Sequence, residues 1–423
     1  MLDINFIREQ SEIVKKACTD KNLDSKVVDD LLIIDAQRRE LIQKVENLRS
    51  QSNRNAQEVK QQVGAEQKPD PELISKGKDL KRQIKALEPE LKQVESSFTQ
   101  LMYEIPSVPA TDTPLGRDES GNQVMRQVGE KIEFKFVPHS HEALMQDLDI
   151  LDTKKAVKMA GFRAYFLKGD GLLLEQALLK YALDLLMAEG FTPMSVPVMV
   201  NQEAMLGTGY FPWGSEDHYQ TQDGQILTGT AEVALTAYHQ GEILNEADLP
   251  IKICGISPCF RREVGSYGKD TKGIIRVHQF NKVEQVVLTV ADENITRDWH
   301  ERMVALAEKL LQNLGLPYQV LAMCTGDMGA GQRKKYDLET WFPSQNKYRE
   351  THSASYFNDF QSRRLNIRYQ DQDGNLKFVY TLNNTMAASP RLLAAVIENY
   401  QQADGSIKIP EVLRQYMGKD VIN

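Results

Sequence analysis

Apolar side chains recurring at alternating steps of three and four commit one long stretch of this chain to paired helices. Stepping through Leu31, Ile34, Arg38, Leu41, Val45, Leu48, Ser52, Asn55 and Val59 meets six apolar residues in nine positions. A second series, Leu73, Gly77, Leu80, Ile84, Leu87, Leu91, Val94, Phe98 and Leu101, meets eight in nine. A spacing that averages 3.5 residues keeps a seam of apolar groups facing a partner helix. Between the two series, Gln62 to Pro71 (QVGAEQKPDP) has the composition of a turn. The expected element is therefore an antiparallel coiled-coil hairpin over about residues 27–101, with Pro89 kinking the second helix or removing one of its hydrogen bonds. Helices of roughly 30 residues would carry the arm out on the order of 45 Å at 1.5 Å per residue. The arm is electrically neutral, with 13 Lys/Arg against 13 Asp/Glu between Val27 and Tyr103. A hairpin of this kind serves as a dimerisation element, as a brace on its own body, or as a grip on an extended partner such as RNA. Residues 1–26 read as a short helical layer with Asp3 as an N-cap.

The whole chain of 423 residues has a formal net charge of −8 and is 41% apolar, enough for two or three domains and a large core. Its four cysteines show no CxxC pair and its seven histidines no HxxxH cluster, which argues for a reducing compartment and against a structural zinc site. The opening MLDINFIREQSEIVKK is charged throughout, unlike a secretory signal, and no run nears the roughly 18 apolar residues of a membrane span. A cytoplasmic protein with no membrane contact is expected. Overall acidity disfavours a protein that simply coats nucleic acid, but leaves room for a local basic strip.

After Ile105–Gly121 (IPSVPATDTPLGRDESG), read as a linker, about 300 residues mix helices with alternating strands and keep no βαβ rhythm. Leu172–Glu189 is helical by period, Gly190 stops it, and the strand FTPMSVPVMV follows, its Pro193 and Pro197 marking a sheet edge or subunit boundary. The fold class is α+β, an antiparallel sheet with helices packed on it, over 122–423, preceded by the helical arm of 1–104. Within it, Pro258–Glu284 shows two alternating runs, ending near Arg262 and resuming near Ile274, around the loop residues Gly265, Ser266, Gly268, Lys269, Asp270, Lys272 and Gly273. Even spacing lets Arg261, Glu263, Arg276, His278, Phe280 and Glu284 share one sheet face. Such a face is either solvated or a site for polyphosphate and base.

Other stretches supply complementary chemistry. Thr228, Gly229 and Thr230 end a strand and Glu232 begins a helix, either as cap and first-turn acid or as a polar pocket. Glu350–Ser353 is a polar edge strand or a site for Mg²⁺, which needs only one or two carboxylates. Asn383, Asn384 and Thr385 end a strand, Ser389 caps the next helix and Pro390 opens it. They set Arg391 in the first turn, a poor place for a cation unless an anion is to be met there. There is no GxxxxGK[ST] and no GxGxxG between strand and helix, so a nucleotide would lie on the antiparallel sheet.

The ordered set of FRREVGSYGKDTKGIIRVHQF, NNTMAASPRLLAAVIENYQQ, TGTAEV, CTGDMG and YRETHS resembles the seryl-tRNA synthetase family of class II aminoacyl-tRNA synthetases, bacterial type, over essentially the whole length. The resemblance implies an antiparallel-sheet catalytic domain, a helical arm that binds the variable arm of tRNA, and a homodimer with Pro197 at its interface. It implies a serine–tRNA ligase using ATP and Mg²⁺, with L-serine and tRNA(Ser) as substrates and tRNA(Sec) as a further acceptor the family allows. By similarity Arg261, Glu263, Arg276 and Arg391 are catalytic. ATP is met by these four with Arg262, Val277, Phe280, Glu350, Thr351, His352 and Ser353. Serine is met by Thr230, Ala231, Glu232, Arg261, Glu284, Asn383 and Thr385, and Mg²⁺ by Glu350 and Ser353. The chain departs from the family where Ala354 stands for a common cysteine, and where Asn384-Thr385-Met386 and Pro390 stand for Gly-Ser-Gly and Gly. A carrier-protein aminoacylating relative would lack the hairpin, and a non-catalytic RNA-binding paralogue would have lost Arg261, Glu350 or Arg391.

Overall fold

The computed structural model describes residues 1–65, 68–264 and 273–423. The loop residues Gly265 to Lys272, and Glu66 and Gln67 of the hairpin turn, lie outside the described residues. The chain divides into two compact units, one of residues 2–19 and 23–106, the other of residues 1, 20–22 and 107–423.

The smaller unit contains α1 (Ile4–Glu9), α2 (Ser11–Asp20), α3 (Lys26–Gly64) and α4 (Pro71–Glu104). Asp3 caps α1 as expected, its carboxylate accepting from Asn5 N–H at 2.8 Å. Every position of the two heptad series is buried or half-buried, so the seam read from sequence is the surface that α3 and α4 share. The helices are longer than expected. At 39 residues α3 spans about 58 Å, because Lys60 to Val63 are good or tolerable helix formers and nothing stops the helix before Gly64. Asp70 and Pro71 restart the chain, with Asp70 accepting from Glu72 N–H at 2.8 Å. The polar breaks in the seam have a cause. Asn55 donates to the Leu73 carbonyl at 2.9 Å, and a Cβ on Gly77 would stand 2.9 Å from the same amide nitrogen. Beside the seam, buried Asp35 takes the two-pronged fork of Arg8 at 2.7 and 2.8 Å.

The larger unit is built on an eight-stranded sheet of β1 (Gln123–Val128), β2 (Thr192–Ser195), β3 (Ile251–Phe260), β4 (Gln279–Thr289), β5 (Tyr318–Ala322), β6 (Lys334–Phe342), β7 (Lys347–Asn358) and β8 (Tyr380–Ala388), in the order β1-β5-β6-β7-β8-β4-β3-β2. All neighbours run antiparallel except β2, which pairs parallel with β3 at the edge. Pro193 lies in that edge strand, where a missing N–H costs no central ladder bond. Three helices, α5 (Asp170–Ala188), α6 (Glu293–Asn313) and α7 (Ser389–Asn399), bury leucine-rich faces against the sheet, and this joint core fixes where the strands can present polar groups. The unit follows the α+β class expected from sequence.

Several boundaries differ from those expected. Strand geometry stops at Phe260 and resumes at Gln279, so Arg261, Glu263, Arg276 and His278 lie beyond the regular ladder, and only Phe280 and Glu284 of that set stand on a strand. Glu263 has φ of +56°, which no regular strand accommodates. Asn383, Asn384 and Thr385 lie within β8 rather than at its end. The helix after it begins at Ser389, with Ala388 at the cap position, and the Ser389 hydroxyl instead accepts from Asn281 N–H at 3.3 Å. Part of the segment read as a linker is held by backbone bonds, with Ala110 N–H on the Arg333 carbonyl, Thr325 N–H on Pro114 and Gly326 N–H on Gly116. A Cβ on Gly326 would meet the Arg117 carbonyl oxygen at 2.4 Å, which accounts for one glycine of the CTGDMG stretch.

One core group sets a pH response. His300 is buried, its Nε2 bonded to the Ala354 carbonyl at 3.1 Å, and burial lowers its pKa from 6.5 to about 4. Above pH 6.5 both states are neutral at this ring; between about 6.5 and 4 the unfolded chain takes the proton first, so stability falls on acidification by about 1.4 kcal/mol per pH unit. Urea unfolding across this window should show a shallower acid slope in His300→Gln than in the parent chain; equal slopes would contradict the assignment.

Candidate active site

Where β3 and β4 run out of register ladder, their continuing segments meet the start of α7 and the middle of β7 around a half-open cavity. Its wall includes Arg261, Glu263, Arg276, Val277, Phe280, Glu350, Thr351, Thr385 and Arg391, all singled out from sequence, with Ile275, Lys282, Ala388 and Pro390. The three arginines reach it from three different segments, and each is aimed by an acceptor. Arg261 donates through Nε and Nη2 to the Gly229 carbonyl at 3.3 Å, with its guanidinium 5.3 Å from the Phe280 ring centroid. Arg276 donates to Glu263 Oε2 at 2.6 Å, and the left-handed backbone of Glu263 brings that carboxylate round. Arg391 donates to the Glu350 carbonyl at 3.0 Å and its Oε2 at 2.9 Å, and through Nε to the Ile275 carbonyl at 3.3 Å.

The electrostatics follow from this crowding. Burial works to raise the Glu350 pKa, but Arg391 and then Lys335 outweigh it and bring it down to about 2, so the carboxylate is ionised. On the neighbouring strand Asp337 lies opposite Ser353. Burial pushes its carboxyl well up, against the pull of its ion-pair partner Lys335 at 3.0 Å. Among the described residues, no three or more His, Cys, Asp and Glu side chains gather as a metal site. An ionised Glu350 with the Ser353 hydroxyl three residues on offers the hard, sparse oxygen set that magnesium takes when substrate and water complete its shell.

A second polar group lies next to the cavity and is almost fully buried. Thr385, on the cavity wall, donates to Glu284 Oε2 at 3.3 Å, and Thr230 donates to the same oxygen at 3.3 Å. Glu232 accepts from Tyr210 Oη at 2.7 Å and from Gln361 Nε2 at 2.9 Å. Burial and then the charge of Glu284 raise its pKa. Ala231 is buried beside it, and Asn383 shares the β8 face of Thr385 by its two-residue spacing. Other expected residues stand outside the cavity wall. Arg262 points to the Glu216 carbonyl at 2.8 Å. His352 is buried between the Thr351 hydroxyl and the Met386 carbonyl, at 2.9 and 3.1 Å. Pro197 follows the edge strand β2. Sequence reasoning missed Lys282, Tyr210, Gln361 and the Lys335–Asp337 pair. The one available signal was Lys282 two residues from Glu284 on a strand.

The cavity therefore offers cations for an anion, a flat ring, and an adjoining polar pocket. Comparisons with known proteins meet this geometry. Residues 1–109 match the model of the seryl-tRNA synthetase N-terminal domain, and residues 217–400 that of the tRNA synthetase class II core domain (G, H, P, S and T). A serine–tRNA ligase of Deinococcus radiodurans is 45% identical over 419 residues, covering 99% of this chain and 98% of that protein. The chain belongs to the seryl-tRNA synthetase family. Another family member, the serine–tRNA ligase of Pseudothermotoga lettingae, is 42% identical over 425 residues, covering 100% of both chains. Among solved structures, the Pyrococcus horikoshii seryl-tRNA synthetase complexed with ATP superposes with a TM-score of 0.91 at 37% identity, covering 100% of this chain and 99% of that one. The cytoplasmic serine–tRNA ligase of Naegleria fowleri in complex with AMP gives 0.87 at 33%, over 100% and 99%.

The Arg391–Glu350 pair yields a test within the site. Replacing Arg391 with Met should raise the Glu350 pKa from about 2 back toward the ordinary carboxylate range. Carboxyl ¹³C NMR titration, with Glu350→Gln to assign the resonance, reads this directly; an unmoved titration would contradict the pairing.

Proposed function

We propose that the chain is a serine–tRNA ligase. It activates L-serine with ATP to give seryl-adenylate and pyrophosphate, then passes the seryl group to the 3′-terminal adenosine of tRNA(Ser). The observation that carries the reading is the convergence of Arg261, Arg276 and Arg391 with Phe280 on one cavity. The serine carboxylate is itself the nucleophile toward the α-phosphorus, so the protein need supply no covalent group. Its work is positioning and stabilising charge on the reacting phosphate. In this reading Arg261 meets the α-phosphate, Arg276 and Arg391 meet the rest of the triphosphate, and Glu263 and Phe280 hold the adenine. Val277 and Thr351 complete the nucleotide wall, while Arg262 and His352, outside the cavity wall, support it from behind. Guanidinium forks suit phosphate in a way that a lysine point charge does not.

Glu350 and Ser353 would hold Mg²⁺, whose contribution when bound is to neutralise phosphate charge. Thr230, Ala231, Glu232, Glu284, Asn383 and Thr385 would form the serine pocket, with Arg261 reaching the substrate carboxylate. A pocket that hydrogen-bonds the substrate hydroxyl should reject alanine by about 10⁴-fold, because its buried groups would be left unpaired.

Two features extend the reading beyond the cleft. The neutral hairpin of α3 and α4 is proposed as the element that grips tRNA, with tRNA(Sec) as a second acceptor carrying the same 3′ end. The edge strand β2, Pro197 and the exposed apolar Leu172, Leu173, Met187 and Met199 support a homodimer. Among the described residues no helix is long and apolar enough to cross a membrane. A cytoplasmic location belongs to the same proposal.

ATP–pyrophosphate exchange tests the first step, with serine, threonine, alanine and glycine as alternatives. Serine-dependent exchange is expected, and its absence would overturn the reading. Excising residues 27–101 and closing the gap with a short Gly-Ser loop should spare exchange and abolish charging of tRNA(Ser). Loss of both activities would count against a separable arm.

A further inference from the structure

Lys282 is the charged residue of the cavity wall that the roles above leave unused. It is 5% exposed, and its ammonium forms an ion pair with Oε2 of Glu284, itself 2% exposed. The two stand two residues apart on β4, so with Phe280 they share one face of the strand. The hydroxyls of Thr230 and Thr385 donate to that same Oε2, each at 3.3 Å. Three donors thus converge on one oxygen, and Oε1 carries none of them. Among the described residues Lys282 is the one cation paired with this carboxylate.

Buried ion pairs are weak devices for stability, because desolvating both charges offsets most of their attraction. This pair also borders a cavity, so it has a use that stability does not explain. Two hydroxyls at 3.3 Å hold a carboxylate loosely; an adjacent ammonium fixes it. Lys282 also acts on Glu232. Burial and Glu284 push its acid group up, while Lys282 works in the other direction.

We propose that Lys282 is a positioning residue that sets selection of the amino-acid substrate by fixing the Glu284 carboxylate through their ion pair, so that Glu284 accepts the substrate's hydroxyl. This rests on the serine-activating function proposed above. With that pair removed Glu284 loses its fixed orientation, and preference for a hydroxyl over a methyl group fades.

The test is ATP–pyrophosphate exchange by the full chain carrying Lys282→Met or Lys282→Ala, with serine or alanine and with ATP varied separately. Expected are a rise in KM for serine of at least about tenfold, a KM for ATP changed by no more than about twofold, and a serine-over-alanine preference reduced at least about tenfold. Added propylamine should restore part of the serine activity of Lys282→Ala, a rescue that a purely structural lysine would not show. Unchanged serine KM and discrimination in both variants would overturn the proposal. So would a parallel rise in both KM values with no response to amine. If the parent chain lacks serine-dependent exchange, the functional reading fails and this proposal with it; normal exchange in the parent with unaffected variants removes Lys282 alone.

Discussion

A site for a highly charged anion must hold several cations close together before the anion arrives, and their mutual repulsion is the constraint on this structure. The solution is to give each guanidinium a local acceptor that aims it without burying it. Arg391 is held by Glu350, Arg276 by Glu263, and Arg261 by the Gly229 carbonyl. The acceptors come from β7, from the segment after β3 and from the turn before Glu232, so the sheet's strand order is what makes the cluster possible. Moving β7 by a residue would turn Glu350 to the other face and leave Arg391 without its carboxylate.

The same sheet explains why the arginine-lined cavity and the buried polar pocket adjoin. Phe280, Lys282 and Glu284 line one face of β4, and Thr385 of the adjacent β8 both borders the cavity and donates to Glu284. The Thr385 hydroxyl, like the Lys282 ammonium, therefore joins the arginine-lined hollow to the buried polar pocket. Behind them, Gln361 turns its amide toward Glu232 because its carbonyl accepts from Thr381 at 2.6 Å, which leaves little freedom in the pocket floor.

What could be read from sequence, and what could not, divides along physical lines. The α3–α4 seam was legible because a 3.5-residue apolar repeat has few other outcomes, and even its polar positions, Asn55 and Gly77, turned out to answer each other. Arg391 drew attention in the sequence because a cation in a helix's first turn is poorly placed without an anion, and Arg261 and Arg276 because guanidiniums beside an aromatic ring and carboxylates on one sheet face make a poor core. Their backbone was not legible. Regular strands were expected to carry Arg261 and Arg276, yet the positive φ of Glu263 ends the ladder first, and left-handed backbone at a non-glycine residue leaves no mark in composition. Lys282 was passed over because lysine on a strand ordinarily faces water, and only three-dimensional packing shows it 5% exposed against Glu284. The fit of Gly326 against the Arg117 carbonyl was invisible for a similar reason, being a contact of backbone with backbone.

The central claim is that Arg261, Arg276 and Arg391 act together as one anion receptor. Isothermal titration of a non-hydrolysable ATP analogue into the parent chain and into Arg261→Met, Arg276→Met and Arg391→Met tests it most directly. The account predicts that each variant keeps the parent's unfolding profile and loses at least about tenfold in affinity. Parent-like affinity in all three variants would contradict it.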